Sequence, residues 1–300
     1  MDFRTLRAFV EVLRRGGFSA AAASLNSTQP TVSKSVKQLE DELGAPLIDR
    51  ARMTATAAGE IALKRAQAIL AERDDLLREL GELRGLKRGA LSLGISPIGG
   101  STLFAPLFAV YAKRYPQIDI RLQEQGSRRL EEMVMEGEVE LAASLLPVGG
   151  EFDFQPVRTE PMVALLPPGH PARGRATVTV AALRDTPQVL FDSAFAINRL
   201  VEDAFARRGV APEVAARSGQ IDFMVELVAA GLGVAFMPES VAALHRHPSV
   251  AAVRFAEPGT DWQLALVWRK SGYLSAAARA WLDLTAEVYP VTETLPTTPS

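Results

Sequence analysis

The chain has no cysteine, which excludes disulfides, thiolate metal sites and any thiol redox switch, and agrees with a reducing cytoplasm. It has three histidines: His170 in a proline-rich turn, and His245 and His247 spaced two apart near a helix end. Neither setting supplies carboxylate or thiolate partners at metal-ligand spacing, so no metal or other cofactor is expected. Charge of one sign is missing as well. The net charge of -2 gives no global basic field, and any nucleic-acid contact has to come from a local patch. No apolar run approaches the roughly 18 residues of a membrane span. The opening MDFRTLRAFVEVLRRGG alternates apolar and charged residues helically and lacks the apolar stretch of an export signal. Also absent are the G-x-S-x-G nucleophile elbow, the phosphate-binding P-loop and the G-x-G-x-x-G dinucleotide fingerprint, so an enzyme is not expected. What is present is bulk. A chain of 300 residues with 48% hydrophobic content fills more than one core, and two or three compact units are expected.

The first segment sets Leu6, Phe9, Val10 and Leu13 at helical spacing and stops at Gly16-Gly17. Ser19 is placed to cap a short second helix, Ala20 to Leu25, whose small Ala21 and Ala22 admit a neighbouring helix closely. After Asn26-Ser27, Thr28 stands as N-cap of a third helix with Pro30 in its first turn, apolar Val32, Val36, Leu39 and Leu43 along it, and Gly44 at its end. Three short helices with a tight break before the third make a helix-turn-helix. From Ala58 to Arg84 a proline-free pattern spaces Ala66, Ile69, Arg73, Leu76, Leu80 and Leu83 alternately by three and four, a heptad seam. At about 1.5 Å per residue such a helix is roughly 40 Å long, more than a small domain covers. Pairing with a second copy accounts for that length. The pattern also fits a solvated spacer with one buried face, since Arg73 interrupts the seam. Gly85 to Gly89, with Lys87-Arg88, reads as a hinge.

Beyond the hinge, strands at 91–95, 118–123 and 141–145 alternate with helices at 103–114 and 129–136. This βαβαβ order predicts a parallel sheet with helices on both faces. A second round sets strands at 163–166, 189–191, near Val214 and at 234–237, with helices at 197–208 and 223–230; an exposed turn covers 167–174. A strand at 262–268 and a closing helix at 275–288 follow, and the polar tail 292–300 reads as disordered. The expected layout is a winged helical domain over 1–57, a linker helix over 58–86 and an α/β domain over 87–290, with a flexible tail over 291–300. The α/β domain divides into two subdomains, about 87–162 with 267–290, and 163–266, leaving a cleft between them.

The run from Phe18 to Leu47, FSAAAASLNSTQPTVSKSVKQLEDELGAPL, resembles the DNA-binding signature of LysR-type transcriptional regulators. The likeness is carried by the paired alanines, the Gln-Pro opening of the third helix, the serine with a basic neighbour, the Leu-Glu pair and the Leu-Gly-x-x-Leu exit. The long linker helix and two-part sensor extend it over nearly the whole chain. The resemblance implies an N-terminal all-α winged helix-turn-helix joined to an α/β sensor, a two-subdomain periplasmic-binding-protein-like effector domain. It also implies a cytoplasmic, sequence-specific transcription regulator controlled by a small-molecule effector. The implied partners are a double-stranded DNA operator, the effector, further copies of the chain as dimer or tetramer, and RNA polymerase, with no membrane. A solute-binding protein would share the sensor but would not need residues 1–86. The chain departs from the family pattern at Leu47-Ile48-Asp49-Arg50, which stands for Leu-Phe-x-Arg, in a short wing interval from Arg50 to Gly59 with Ala55 before Thr56, and at Ala20, Ala23 and Ser27.

A recognition helix needs side chains that reach base edges beside others that hold phosphates. The expected DNA-binding residues are Thr28, Gln29, Pro30, Thr31, Ser33, Lys34 and Lys37 on the third helix, with Arg50 and Arg52 in the wing. Gln29 suits a bidentate contact with adenine, Ser33 a base or phosphate, Thr31 a phosphate, the lysines backbone charge, and the arginines a phosphate or the minor groove. The alternative is a helix merely opened by Gln29 with a solvated lysine face. In the sensor, the first strand runs into Ser96, Pro97, Ile98 and Thr102 ahead of a helix, a geometry suited to a small organic anion. A Gly99-Gly100 turn capped by Ser101 or Thr102 is the competing reading. Ser144, Ser193, Phe195, Gln220 and Pro238 stand at other strand ends, where open α/β sheets take ligands.

Overall fold

The computed structural model describes residues 1–83, 89–270 and 272–290; the expected hinge at 84–88 and the tail at 291–300 lie outside the described residues. By proximity the chain divides into two units, Met1–Gly85 with Met135–Glu138, and Leu86–Val134 with Val139–Ser300.

In the first unit, α1 (Phe3–Arg15) starts at a capping box in which the Asp2 carboxylate accepts from the Thr5 N–H at 2.8 Å. It ends at Gly16, whose φ of 69° is left-handed. The second helix, α2 (Phe18–Ser24), begins earlier than the sequence pattern suggests: Gly17 is its N-cap, and Ser19 lies inside the first turn without capping it. Recognition-helix candidate α3 (Gln29–Leu43) follows Thr28 as expected, but the Thr28 hydroxyl bonds the Thr31 hydroxyl at 2.8 Å instead of a backbone N–H. A two-stranded antiparallel hairpin, β1 (Ile48–Asp49) and β2 (Thr54–Ala55), leads into α4 (Ala57–Leu83). Leu6, Phe9, Val12, Val32, Val36, Leu39, Leu47 and Ile48 form one core, closed by Ala66 and Leu70 of α4. Buried Ala21 and Ala22 keep α2 close to its neighbours. Only part of the expected seam is therefore free. Ala66 is buried within its own unit, and the Arg73 guanidinium lies 5.7 Å from the Phe3 ring centre, whereas Ile69, Leu76 and Leu80 are 38%, 54% and 42% exposed.

The second unit opens with β3 (Ala90–Ile95), a bent turn α5 (Pro97–Gly99), a π-helical turn at Gly100–Phe104 and α6 (Ala105–Arg114). Then come β4 (Asp119–Glu124), α7 (Ser127–Met135), β5 (Leu141–Leu145), β6 (Phe152–Glu160) and β7 (Met162–Leu166). The chain continues through β8 (Thr177–Val178), α8 (Val180–Leu183), β9 (Gln188–Phe191), α9 (Ile197–Arg207), β10 (Val214–Ser218) and α10 (Ile221–Ala229). It finishes with β11 (Val234–Pro238), α11 (Glu239–Leu244), β12 (Ala251–Phe255), β13 (Trp262–Arg269) and α12 (Ala276–Val288). One sheet has the order β4-β3-β5-β13-β6, the other β10-β9-β11-β7-β12-β8.

Each sheet has a parallel centre, β4-β3-β5 in one and β10-β9-β11 in the other, but the expectation of purely parallel sheets is corrected by β13, which runs antiparallel to β5 and β6, and by β7, antiparallel to β11 and β12. The second crossing between sheets also falls earlier than residue 266. All of β13 pairs with β6, from Trp262 opposite Glu160 to Arg269 opposite Phe152, so residues 262–266 belong to the first subdomain. The sequence reading also passed over β6. Its alternation is hidden by charged residues and Pro156, which an edge strand tolerates, and the register slips between Leu264 and Ala265 opposite it. On the first sheet, Trp281 of α12 packs between Phe108 and Tyr111, at ring distances of 4.8 and 5.3 Å. Phe205, Phe236 and Phe255 form the corresponding ring cluster in the second.

A Cβ added at Gly59 would lie 1.9 Å from the Leu47 carbonyl oxygen, whereas one at Gly81, in the interior of α4, meets nothing within 4 Å. Gly59→Ala is expected to destabilise the helical unit by about 1–3 kcal/mol, as overpacking does. Gly81→Ala is expected to stabilise α4 by up to about 1 kcal/mol. Thermal denaturation of the two variants beside the parent checks both signs.

Candidate DNA-contacting surface and ligand cleft

Burial of Val32, Val36 and Leu39 fixes the rotation of α3 and leaves Gln29, Pro30, Thr31, Lys34 and Lys37 exposed, with Ser33 half-buried beside them. Lys34 and Lys37 enter no ion pair among the described residues. The helix therefore presents hydroxyl, amide and ammonium groups from its first turn onward. The free N–H groups of its first turn, at the end of the helix where the polar row begins, favour anions.

The short wing closes in spite of its length. The Asp49 carboxylate accepts from the Ala51 and Arg52 N–H groups at 3.0 and 3.2 Å, and Met53 takes a left-handed φ of 55° to complete the turn. Behind it, the Thr56 hydroxyl donates to the Pro46 carbonyl at 2.7 Å and accepts from Gly59 N at 2.9 Å. Arg52, at the tip, is 83% exposed, with Asp49 3.8 Å away as its carboxylate neighbour. Arg50 is differently placed: its Nη2 lies 3.2 Å from Glu40 and its guanidinium covers the Phe18 ring, 5.4 Å from the centre. The sequence reading gave neither Glu40 nor Phe18 a role; the only signal was Glu40's place in the Leu-Glu motif pair.

In the second unit, Ser96, Ile98 and Phe195 come together with Ser127, Leu145, Ala196, Ile197, Trp262 and Leu264 around a cavity of about 10 Å³. That is room for about one water molecule. The cavity lies where the ends of β3, β5 and β13 of one sheet meet the start of α9 on the other. Ser96 Oγ accepts from Ile98 N at 3.3 Å. The expected helix N-terminus is not one continuous helix: Gly99 turns the chain with a φ of 83°, and Thr102 spends its hydroxyl on the Gly99 carbonyl at 3.3 Å. Pro97, Thr102, Ser144, Ser193, Gln220 and Pro238 do not line the cavity. Ser193 and Gln220 are exposed, and Pro238 is buried at the end of β11, opposite Met162.

Ser144 is wholly buried and donates to the Glu131 carboxylate on α7. Burial pushes the Glu131 carboxyl above its ordinary value, against the pull of the Ser144 hydrogen bond and of Arg199, while Glu151 adds to the rise and Arg128 opposes it. His170 Nδ1 accepts from Ala172 N at 3.1 Å, and its imidazole is pushed down by burial. The other two histidines each meet one carboxylate: His245 pairs with Asp222, and His247 lies 3.9 Å from Glu226, one turn further along α10. Among the described residues, no group of three or more metal-ligating side chains is placed to hold a metal ion, and no helix is long and apolar enough to cross a membrane.

A helix-turn-helix with an exposed polar face, joined in one chain to a two-lobed α/β unit with a cleft at its strand ends, defines a ligand-responsive DNA-binding regulator. Residues 3–60 match the model of the bacterial regulatory helix-turn-helix proteins of the lysR family, and residues 84–290 match the LysR substrate binding domain. The chain belongs to the lysR family of transcription regulators, whose members are not enzymes. It is 32% identical over 288 residues to the HTH-type transcriptional regulator YwbI of Bacillus subtilis, covering 95% of this chain and 96% of that protein. It is 31% identical over 289 residues to a probable hydrogen peroxide-inducible genes activator of Mycobacterium leprae, covering 94% and 93%. A full-length OxyR variant from Pseudomonas aeruginosa shares the fold with a TM-score of 0.67 at 24% identity, over 98% of this chain and 99% of that one.

The direction of the Glu131 shift fixes a pH dependence. A carboxyl whose folded-state pKa is raised contributes stability that is complete below its ordinary value of 4.5 and is lost as pH rises through the folded value. Glu131→Gln is expected to make the ligand unit more stable than the parent at neutral pH, with the difference closing as pH falls below that value. Denaturant titrations at several pH values test this; a variant less stable than the parent at neutral pH would contradict it.

Proposed function

We propose that α3 enters the major groove of a DNA operator, with Gln29 and Ser33 reading base edges and Thr28, Thr31, Lys34 and Lys37 holding phosphates, while Arg52 at the wing tip reaches the backbone or the minor groove. The observation that carries this reading is the burial of Val32, Val36 and Leu39, which turns that whole polar row outward. The protein works in the cytoplasm, where its operator lies.

The second unit takes a small organic anion at this cavity, with Ser96 and Ser127 as polar groups among Ile98, Phe195 and Trp262. Because the cavity holds about one water, ligand binding is coupled to rearrangement of the two lobes. By linkage, a ligand that prefers one arrangement biases how paired DNA-binding units engage two half-sites, and thereby the access of RNA polymerase. The peroxide response named for the mycobacterial relative does not reach this chain through a thiol, since the chain has no cysteine. Self-association runs through the exposed Ile69, Leu76 and Leu80 of α4. The edge strands β4 and β10 offer further surface.

Gel shift and footprinting on DNA flanking the protein's own gene, at two salt concentrations with a nonspecific competitor, are expected to show salt-sensitive protection of an interrupted dyad. Ser33→Ala combined with Lys34→Ala is expected to abolish specific binding with the oligomer intact by analytical ultracentrifugation; unchanged operator affinity removes α3 from the reading role. Leu76→Glu combined with Leu80→Glu is expected to give a monomer in the same centrifuge. A variant that still sediments as the parent oligomer places the interface elsewhere.

A further inference from the structure

Glu40 lies near the end of α3, one turn beyond Lys37, and its side chain is only 12% exposed. One carboxylate oxygen accepts from the backbone N–H groups of Leu47 and Ile48, at 2.8 and 3.3 Å, where the chain enters the wing. The other faces Arg50 Nη2 at 3.2 Å. The Arg50 guanidinium in turn covers Phe18, the first residue of α2. Three separate elements, α2, α3 and the wing, thus meet at one ion pair and one ring.

We infer that Glu40 and Arg50 are positioning residues that lock the wing to the recognition helix, and that Arg50 is not a phosphate contact. This rests on the reading of α3 and the wing as the DNA-contacting surface. The charge of Arg50 is balanced at hydrogen-bond distance by Glu40, so the pair presents no net cation to a phosphate and releases few counterions on binding. Its guanidinium also lies over an aromatic ring, 5.4 Å from the centre of Phe18, a second contact that draws it towards α2. Arg52 differs on both counts, being 83% exposed with its carboxylate neighbour at the outer limit of an ion pair. The lock gives the short wing its orientation, because the same carboxylate that holds Arg50 also anchors the first two N–H groups of the hairpin.

The two roles predict opposite signs. If Arg50 held a phosphate, Glu40→Gln would free it, remove a negative charge from the DNA side and tighten operator binding. If the pair is a lock, Glu40→Gln weakens binding, by about tenfold, the equivalent of roughly 1.4 kcal/mol. Arg50→Lys keeps the charge but loses the planar contact, and is expected to weaken binding as much as Arg50→Met does. The slope of log K against log salt stays at the parent value in Arg50→Met and shrinks by about 0.9 in Arg52→Met. In the free protein, the Leu47 and Ile48 amides exchange faster in Glu40→Gln while those of α1 do not change. Phe18→Leu, which leaves both Glu40 backbone bonds in place, serves if Glu40→Gln fails to fold, and is expected to weaken binding with the salt slope kept. Tighter binding by Glu40→Gln, or a slope reduced by about 0.9 in Arg50→Met with wing exchange unaltered, overturns the inference. Absence of operator protection by the parent protein overturns the DNA reading instead, and the exchange measurement still decides whether the lock exists.

Discussion

The pairing of β13 between β5 and β6 holds the ligand unit in its two-lobed form. After leaving the first sheet at Glu160 the chain builds the whole of the second sheet, and only the return of Trp262–Arg269 to the first one closes the circuit. The eight residues of that strand supply the backbone partners of an edge strand that begins at Phe152. Two covalent crossings result, one at Glu160 to Met162 and one between Phe255 and Trp262. Everything between the lobes, including the cavity floored by Trp262 and Leu264, follows from where those crossings lie. Open sheets linked in this way can rotate about their crossings without breaking a ladder hydrogen bond, which is the mechanical basis of hinge motion.

The helical unit solves a different problem, that of building a rigid surface from few residues. Its core is small, and its helices approach closely because α2 presents alanines where larger side chains would hold them apart. Tight contacts then do the rest. The Leu47 carbonyl accepts from Thr56 N at 3.0 Å and leaves no room for a side chain at Gly59. The hairpin is closed by Asp49 and Thr56 from inside, so the wing does not need additional length to hold its shape.

How much was legible follows from the physical signal each element carried. The helices of the first unit were readable because their buried positions recur at helical spacing and their ends carry Thr28 and glycines at 16 and 44. The start of α2 was misplaced because a serine at position 19 looks like a cap, whereas the turn was already completed by Gly17. In α4 the heptad was readable but not the use of its members, since a sequence cannot say that Ala66 serves its own unit or that Arg73 turns towards Phe3. Strands with continuous apolar runs were found; β6 and β12 were not, one being an edge strand with a proline and the other carrying Arg254. The boundary at residue 266 cut through β13 because apolar residues do not record which sheet they enter. For the cleft, the strand-end candidates Ser96, Ile98 and Phe195 line one cavity, whereas the Ser144 hydroxyl is taken by a partner on α7 that lies 13 positions away.

The small volume of the cavity beside Ser96 and Phe195 has a thermodynamic side. With the ligand taken at this cavity, as proposed, Phe195, Ile98 and Trp262 occupy space that it must enter and act as a competitor present at fixed concentration in every molecule. The apparent affinity for any ligand taken there equals the intrinsic affinity reduced by the fraction of molecules in the open form. A substitution that loosens that packing therefore lowers the concentration at which the protein responds without touching a single ligand contact. The sensitivity of the sensor is written into its packing as much as into its polar groups.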